Sequence, residues 1–454
     1  MKVKFDKASE PLIKAARKVA QKLEDAGYEA LFAGGCVRDA LCGRGIKDVD
    51  IATSARPDQV EALFAGRIVS IGKAFGVILV LEGKFQFDVA SYRSDGAYVN
   101  GRHPEEIHFC CAEEDALRRD LTINGLFCNP HSGSIIDYVD GLDDLQNGVV
   151  RTIGCANDRF EEDHLRMLRA LRFASVMQFE IEDQSWQAIC NMSSKIGRVS
   201  IERITNEFVR MICEAPKPSI AMNMLYSSGL LMQFLPEVVA LHGVEQPPQF
   251  HPEGDVWIHT CMMLDGIKVP RDPVLALGIL FHDIGKPGTY SFGPHPKTGE
   301  VRIRFMGHAD LGFKITGRIL ARLKLPNSLI AAVQELVSHH MRFIDAQKMR
   351  KSTLRRLLGL EHIDNLLALN KQDCLASNGD LSGYEFLVEQ YNQFQDEPAL
   401  PPPIVTGKVL IKWGHKPSPE MGALIKKLYN AQLEGKISSL EDAKSFVEKL
   451  RPRG

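Results

Sequence analysis

The sequence predicts an α+β chain, with a mixed sheet and helices in about its first 150 residues and a largely helical remainder. Up to about Arg93, short apolar runs rich in β-branched and aromatic residues alternate with glycine turns. From "EEDALRRD" (Glu113–Asp120) onward the apolar spacing is helical. The length of 454 residues exceeds what one hydrophobic core fills and implies roughly three domains.

Taken in order, "PLIKAARKVAQKLEDAG" has helical spacing and stops at Gly27. "YEALFAGG" reads as a strand entering a glycine turn, "VRDALCG" as a short helix and "DVDIAT" as the next strand. "RIVSIG", "FGVILVLEG" and "FQFDVASYR" add strands with turns between them. The helical remainder contains no internal repeat and no low-complexity segment. "PALPPPIV" (Pro398–Val405) is the one proline-rich hinge, and it sets off the last ~50 residues.

Composition is that of an ordinary soluble protein, 44% apolar and 25% charged. "MKVKFDKASE" lacks the apolar core of a signal peptide, and no apolar run approaches the ~20 residues of a membrane span. Ten cysteines without a C-x-x-C pair predict reduced thiols and a cytoplasmic protein. The net charge of −2 advertises no nucleic acid globally. Yet residues 401–454 hold ten Lys/Arg against five Asp/Glu, and 342–356 hold six against one. These runs fit solvated helix faces or contact with an acidic polymer.

Chemistry begins at "GGCVRDALCGRGIKDVDIAT" (Gly34–Thr53). On a strand, Asp48 and Asp50 would share a face, where like charges repel unless a cation or a proton intervenes. By itself "DVD" also fits a polar turn with solvated acids. Asp88, on a second apolar strand and followed by Arg93, makes a third carboxylate. Three carboxylates on adjacent strands suit hard divalent cations, which activate a hydroxyl and steady a leaving pyrophosphate. Gly34 and Gly35 let backbone approach phosphates, and the helix near Val37 offers free N–H groups. The stretch predicts a metal–nucleoside triphosphate site.

The ordered motifs "GGCVRD", "DVDIAT", "FDVASYRSDGAYVNGRHP", "RRDLTING", "DGLDDLQNGVVRTIG", "EDHLRMLRALRFA" and "ERITNEF" resemble the class II tRNA nucleotidyltransferase (CCA-adding) and bacterial poly(A) polymerase family over about the first 215 residues. Later, "WIHT", "FHDIGKP", "GHADLG", "SHHMRF" and "NKQDCLASNGD" resemble an HD phosphohydrolase domain. The segment from "VTGKVLIKWGHKPSPEMG" resembles the C-terminal piece of the bacterial enzymes. Leu121 and Gly125 depart from the usual Phe and Ala, as packing changes. The resemblance implies a nucleotidyltransferase head at 1–150, a helical neck and nucleobase-binding region at 151–235, an HD body at 236–397 and a tRNA-binding tail at 398–454.

For the head it implies Asp48, Asp50 and Asp88 as catalytic residues, with Mg²⁺ on Asp48 and Asp50. Nucleotide binding falls to Gly34, Gly35, Arg38, Arg119, Asp120, Asn124, Asp163, Arg166, Arg169 and Arg172, with Arg118 assisting. Arginine forks suit phosphate and Asp accepts from hydroxyls, although Arg119, Asp120 and Asn124 also fit a capped, ion-paired helix. Asp163 and Arg166, at i and i+3, fit an intrahelical ion pair. The resemblance implies instead a protein edge that reads the amino group and adjacent acceptor shared by C and A. Glu202, Arg203 and Glu207 would brace that helix. The loop with Asp95, Gly96, Gly101 and Pro104 would help the change from C to A addition, or be surface only.

In the HD region His259, His282, Asp283 and Asp373 are the expected ligands of a divalent metal of unspecified identity, against a reading as buried, satisfied histidines. His308 and His340, with His339 adjacent, could extend the set to a second metal, and Lys286 could meet a phosphate. The function implied is template-independent CCA addition to the tRNA 3′ end from CTP and ATP, with an HD phosphohydrolase activity. No membrane and no obligate protein partner are expected. Poly(A) polymerase is the alternative, though the near-zero net charge and modest tail weigh against it. A-only or CC-only addition is another. From other classes come a lone HD phosphohydrolase and an RNA-binding module with an inactive head, and the intact carboxylates argue against both.

Overall fold

The computed structural model describes residues 2–69, 73–95, 98–99, 103–104, 107–249, 251–294, 298–393 and 398–450. The chain forms two compact units, Met1–Val239 and Ala240–Gly454.

In the first unit, α1 (Glu10–Asp25) turns Ile13, Ala16, Val19, Ala20 and Leu23 inward, the spacing of one helix face. It gives way at Gly27, whose φ of +87° favours glycine. There follow β1 (Ala30–Ala33), α2 (Gly35–Leu41), β2 (Asp50–Thr53), α3 (Pro57–Leu63), β3 (Ile68–Val69), β4 (Val77–Glu82) and β5 (Phe85–Ser91). Beyond α4 (Ala112–Leu117), a hairpin of β6 (Phe127–Cys128) and β7 (Ile135–Ile136) that the sequence pattern did not announce completes the sheet. The strand order is β7-β6-β1-β2-β5-β4-β3. Only β2 and β5 run parallel, so the sheet is mixed as expected.

Alternation along β1 builds two layers. Ala30 and Phe32 join α1, α3 and the inner side chains of β2, β4 and β5 in one core. Leu31 and Ala33 face the other way, onto Tyr92 and α4. Gly125 is explained by space, since a Cβ there would meet Val139 Cγ2 at 2.6 Å. Leu121 is fully buried. Both departures are packing adjustments.

Two expectations need correction. Asp48 does not share a strand with Asp50. β2 starts at Asp50 because its partner β1 ends opposite, at Ala33, where Gly34 turns the chain away. Nor do Asp163 and Arg166 share a helix. α5 (Ala156–Glu162) ends first, Asp163 is extended with φ −146°, and α6 (Leu165–Met177) begins after His164. The Asp163 side chain accepts from Leu165 N at 3.0 Å, a local bond that competes with helix continuation. α7 (Ile201–Glu214) packs on α6. In the expected loop, Arg93–Asp95 pairs with Ile107–Phe109, while Gly96 and Gly101 lie outside the described residues.

The second unit is helical. α8 (Val256–Asp265), α9 (Pro273–Phe281), α10 (His308–Arg322), α11 (Asn327–His339) and α12 (Ile363–Ala376) pack together. An unexpected hairpin, β8 (Ser291–Pro294) and β9 (Val301–Arg304), precedes α10. After the proline-rich stretch, three helices, α13 (Gly407–Lys412), α14 (Pro419–Leu433) and α15 (Leu440–Leu450), close on a small core of Leu410, Leu428, Ile437, Ala443 and Val447. Among the described residues no helix is long and apolar enough to cross a membrane.

Candidate active site and metal cluster

Against the central strands β1, β2 and β5 of the head sheet lies a cleft of about 950 Å³. Thirteen residues that the sequence assigns to catalysis or nucleotide binding line it, and Arg118 with them: Gly34, Gly35, Arg38, Asp48, Asp50, Asp88, Arg119, Asp120, Asn124, Asp163, Arg166, Arg169 and Arg172. Topology explains the carboxylate wall. The parallel register sets Ile51 beside Val89, and so brings Asp50 level with Asp88, while Asp48 arrives from the preceding loop. Withdrawal from bulk water, then the charges of Asp48 and Asp88, push the Asp50 carboxyl up to about 6, against Arg119. Burial and then Asp48 raise Asp88 as well. A cation between them would relieve that crowding, so the donor set fits a hard divalent metal.

Gly34, at φ +64°, turns β1 into α2, and a Cβ there would meet Arg119 Nη1 at 3.2 Å. Behind it runs a buried polar chain. Arg38 Nη1 donates to Asn124 Oδ1 at 2.5 Å, and Asn124 Nδ2 donates to Asp120 at 3.1 Å. Arg169 Nε donates to the same carboxylate at 2.7 Å. Burial alone would raise Asp120, but Arg169, Asn124 and Arg166 hold it well below the usual carboxylate range. Asp115 accepts from Arg118 at 2.7 Å and Arg119 at 2.9 Å. These arginines are fixed in place before any ligand arrives.

Asp163 is gripped by Arg203, whose two Nη atoms lie 2.7 and 3.3 Å from its carboxylate oxygens. Arg166 turns to Glu162 at 2.5 Å and to the Arg118 carbonyl at 3.2 Å. The two therefore do not pair with each other. Arg172 donates to Glu207 at 2.5 Å. Arg44, Lys47 and Arg210 also line the cleft and were not anticipated. The signal for the first two was present, as basic residues immediately ahead of the acid pair in "GRGIKD".

The second unit gathers a ligand cluster at helix ends. His259 lies on α8, His282 and Asp283 follow α9, His308 opens α10, His340 follows α11 and Asp373 lies on α12. Ligand atoms of His259, His282 and Asp373 lie within 4.8 Å of one another, as do those of Asp283, His308 and His340. His259 Nε2 is 3.2 Å from Asp373 Oδ1 and His282 Nε2 is 3.0 Å from Asp283 Oδ2. Neither buried nitrogen makes a directed hydrogen bond, an expense that a metal would remove. The donor chemistry thus fits one or two divalent ions.

Two further residues escaped the sequence reading. Glu253 Oε1 accepts from His259 Nδ1 at 2.6 Å and from His251 Nδ1 at 2.9 Å. With His259 these form a third group of closely spaced ligand atoms. The signal was the short "HPEGD" ahead of the α8 motif. Against burial, Asp373 and Glu253 raise His259 to about 9, whereas burial and His282 lower His340 to about 3. His339 stands aside, 2.5 Å from Ser338 Oγ. Lys286 is buried on Asp283 at 2.6 Å and Gln246 at 2.6 Å, rather than presented to solvent for a phosphate.

Known proteins resemble the chain throughout. Residues 30–151 match the Poly A polymerase head domain, 178–241 the probable RNA and SrmB-binding site of polymerase A, and 255–372 the HD domain. A CCA-adding enzyme of Lactobacillus delbrueckii subsp. bulgaricus is 45% identical over 197 residues, 43% of this chain and 49% of that protein. The match thus spans about half the length of that relative. A CCA-adding enzyme of Lactobacillus johnsonii is 30% identical over 438 residues, 94% of this chain and 95% of that one. The crystal structure of the Bacillus stearothermophilus CCA-adding enzyme in complex with CTP shares the fold, with a TM-score of 0.75 at 24% identity over 98% of each chain.

Proposed function

The chain belongs to the family of CCA-adding enzymes, and from that premise we propose that it adds CCA to the 3′ end of tRNA, drawing on CTP and ATP. One observation carries the reading. The carboxylate wall, the fixed arginines and the Asp163–Arg166 edge all line a single cleft.

In this mechanism the terminal tRNA hydroxyl attacks the α-phosphorus of the bound triphosphate. A new phosphodiester bond forms and the bond to pyrophosphate breaks. Asp48 and Asp50 would hold Mg²⁺, which supplies charge neutralisation and hydroxyl activation at the α-phosphate. Asp88, level with Asp50, orients the hydroxyl. Gly34 and Gly35 admit the phosphates to backbone at the start of α2. Arg119 and Arg38 bind phosphate oxygens, and the Asp120–Asn124 pair receives the ribose. Asp163 accepts from the exocyclic amine of C or A while Arg166 donates to the neighbouring ring acceptor, so the protein edge replaces a template. Arg169 and Arg172 complete the nucleotide pocket. Rate comes from positioning and charge complementarity, without a covalent protein intermediate. The basic tail, 398–454, contacts tRNA, and the protein works in the cytoplasm.

The cluster in the second unit is read as a metal-dependent phosphohydrolase acting on phosphate ends, with a 2′,3′-cyclic phosphate of damaged tRNA as first candidate. Water adding to phosphorus with breakage of the P–O3′ bond would leave a 2′-phosphate and free the 3′-hydroxyl that the head extends.

The test is direct. tRNA ending at the discriminator base is incubated with CTP, ATP or both, and the products are sequenced. CC from CTP alone and CCA from both is the expected result. Long A tracts would indicate poly(A) polymerase, and A or CC alone a partial enzyme. For the HD unit, cyclic-phosphate tRNA is assayed across Mg²⁺, Mn²⁺, Ni²⁺ and Co²⁺. No turnover with any of them, and no bound metal by elemental analysis, would reduce the cluster to scaffold.

A further inference from the structure

β8 and β9 pair with Phe292 opposite Ile303 and Pro294 opposite Val301. Paired residues share a face and successive residues alternate. One face therefore carries Tyr290, Phe292, Pro294, Val301, Ile303 and Phe305, without a charge. The other carries Ser291, Gly293, Arg302 and Arg304. An apolar hairpin face normally meets a core, yet Phe292 is 67% exposed, Val301 66% and Tyr290 37%.

The inner end of this face leads to the metal cluster. Lys286 Nζ, bonded to Asp283, stands 5.2 Å from the Phe305 ring, and the Phe305 carbonyl meets His308 Nδ1 at 2.8 Å. From Phe305 the rings step outward, to Tyr290 at 5.7 Å and then to Phe292 a further 5.5 Å away, each edge to face. On the back, Arg304 lies along Gly293, where a Cβ would meet its Cδ at 3.1 Å.

We infer that this hairpin is a base-stacking platform, and that the HD unit takes the phosphate-bearing end of a single-stranded RNA with its terminal base against Phe292 and Tyr290. The inference rests on the phosphohydrolase reading of the cluster. Every base has a π-face, so aromatic side chains bind ends of any sequence without a hydrogen-bond code. Three exposed side chains suit one or two bases and fall far short of the roughly 800 Å² per partner of a stable protein interface.

The experiment uses the full chain and an RNA trinucleotide ending in 4-thiouridine 2′,3′-cyclic phosphate. Irradiation and mass spectrometry should place the adduct between residues 290 and 305. Adducts confined to the head, or absent, overturn the platform. Crosslinking needs no hydrolysis, so an adduct without turnover would sink the phosphohydrolase reading and keep the platform, while turnover without an adduct would do the reverse. Phe292→Ala should weaken crosslinking and raise KM for this RNA by roughly five- to hundredfold, the value of one stacked base. An abasic analogue with the same cyclic phosphate should be turned over as before, and Phe292→Trp should restore the wild-type KM. Equal losses on both substrates would assign Phe292 to packing. A change of oligomeric state in Phe292→Ala would assign the face to a second copy of the chain.

Discussion

The cleft of the head and the cluster of the second unit both gather acids and cations, but by opposite means. In the cleft, Asp50 opens β2 and Asp88 sits midway along β5, and withdrawal from water, followed by the charge of neighbouring carboxylates, raises both carboxyls. In the cluster, His259, His282, Asp283, His308 and His340 are each at most 5% exposed. The cleft of about 950 Å³ leaves room for a nucleotide to enter and for product to leave. The ligands of the cluster are buried, and helix packing has already met the cost of taking them out of water. An open cleft on a sheet suits a substrate that must move, and a helical core suits an ion that must stay.

If the two sites are chemically independent, each should fail alone, and this is the largest effect expected. Asp50→Ala should reduce addition of both nucleotides by several kcal/mol, on the order of 10³-fold, while tRNA binding and cyclic-phosphate hydrolysis persist. His282→Ala with Asp283→Ala should do the reverse. Product sequencing and hydrolysis assays on the same preparations decide it, and joint loss in either variant would break the comparison.

Next in size is base choice. Asp163→Ala removes the acceptor for the amino group, so discrimination against UTP and GTP should fall by about ten- to hundredfold. Unchanged selectivity ratios among the four triphosphates would leave Asp163 a structural residue. On the other side, Glu253→Ala frees His259 Nδ1 from the bond that fixes its orientation. Metal affinity should fall by about tenfold, toward the lower end of such outer-ligand effects, with CCA addition unchanged. Metal titration followed by elemental analysis checks this without any substrate.

What the sequence made legible follows the same division. The strands of the head and their glycine turn could be read because they lie in short ordered motifs with local periodicity, and the residues those motifs single out for nucleotide binding line one cleft. Partnerships across the chain could not. "DVDIAT" has strand propensity from Asp48, but pairing with β1 decides that the strand begins at Asp50. "EDHLRML" has helical spacing throughout, but the side chain of Asp163 bonds its own backbone and splits the run. Glu253 was overlooked because its meaning depends on where His259 points, which is a tertiary fact. The β8–β9 hairpin was hidden by its short, glycine- and proline-interrupted strands inside a helical domain.

The smallest expected effect concerns Arg203, which the sequence suggested only as a brace. In the structure its guanidinium holds both oxygens of Asp163, while Arg166 is occupied by Glu162. Under the proposed reading, the edge is therefore aimed from α7, by a residue that need not touch the base. Arg203→Lys keeps the charge but loses the planar fork, so one carboxylate oxygen of Asp163 is released and its orientation loosens. A partly exposed pair of this kind is worth at most about 1 kcal/mol, or roughly fivefold. The expected signature is a modest fall in selectivity for CTP and ATP over UTP and GTP, with tRNA affinity and thermal stability close to wild type. Arg203→Ala should lower selectivity further in the same direction. A merely bracing residue would instead lower stability and slow all four triphosphates alike, leaving their ratios fixed. Selectivity ratios measured beside thermal unfolding of both variants therefore tell an aiming residue from a brace.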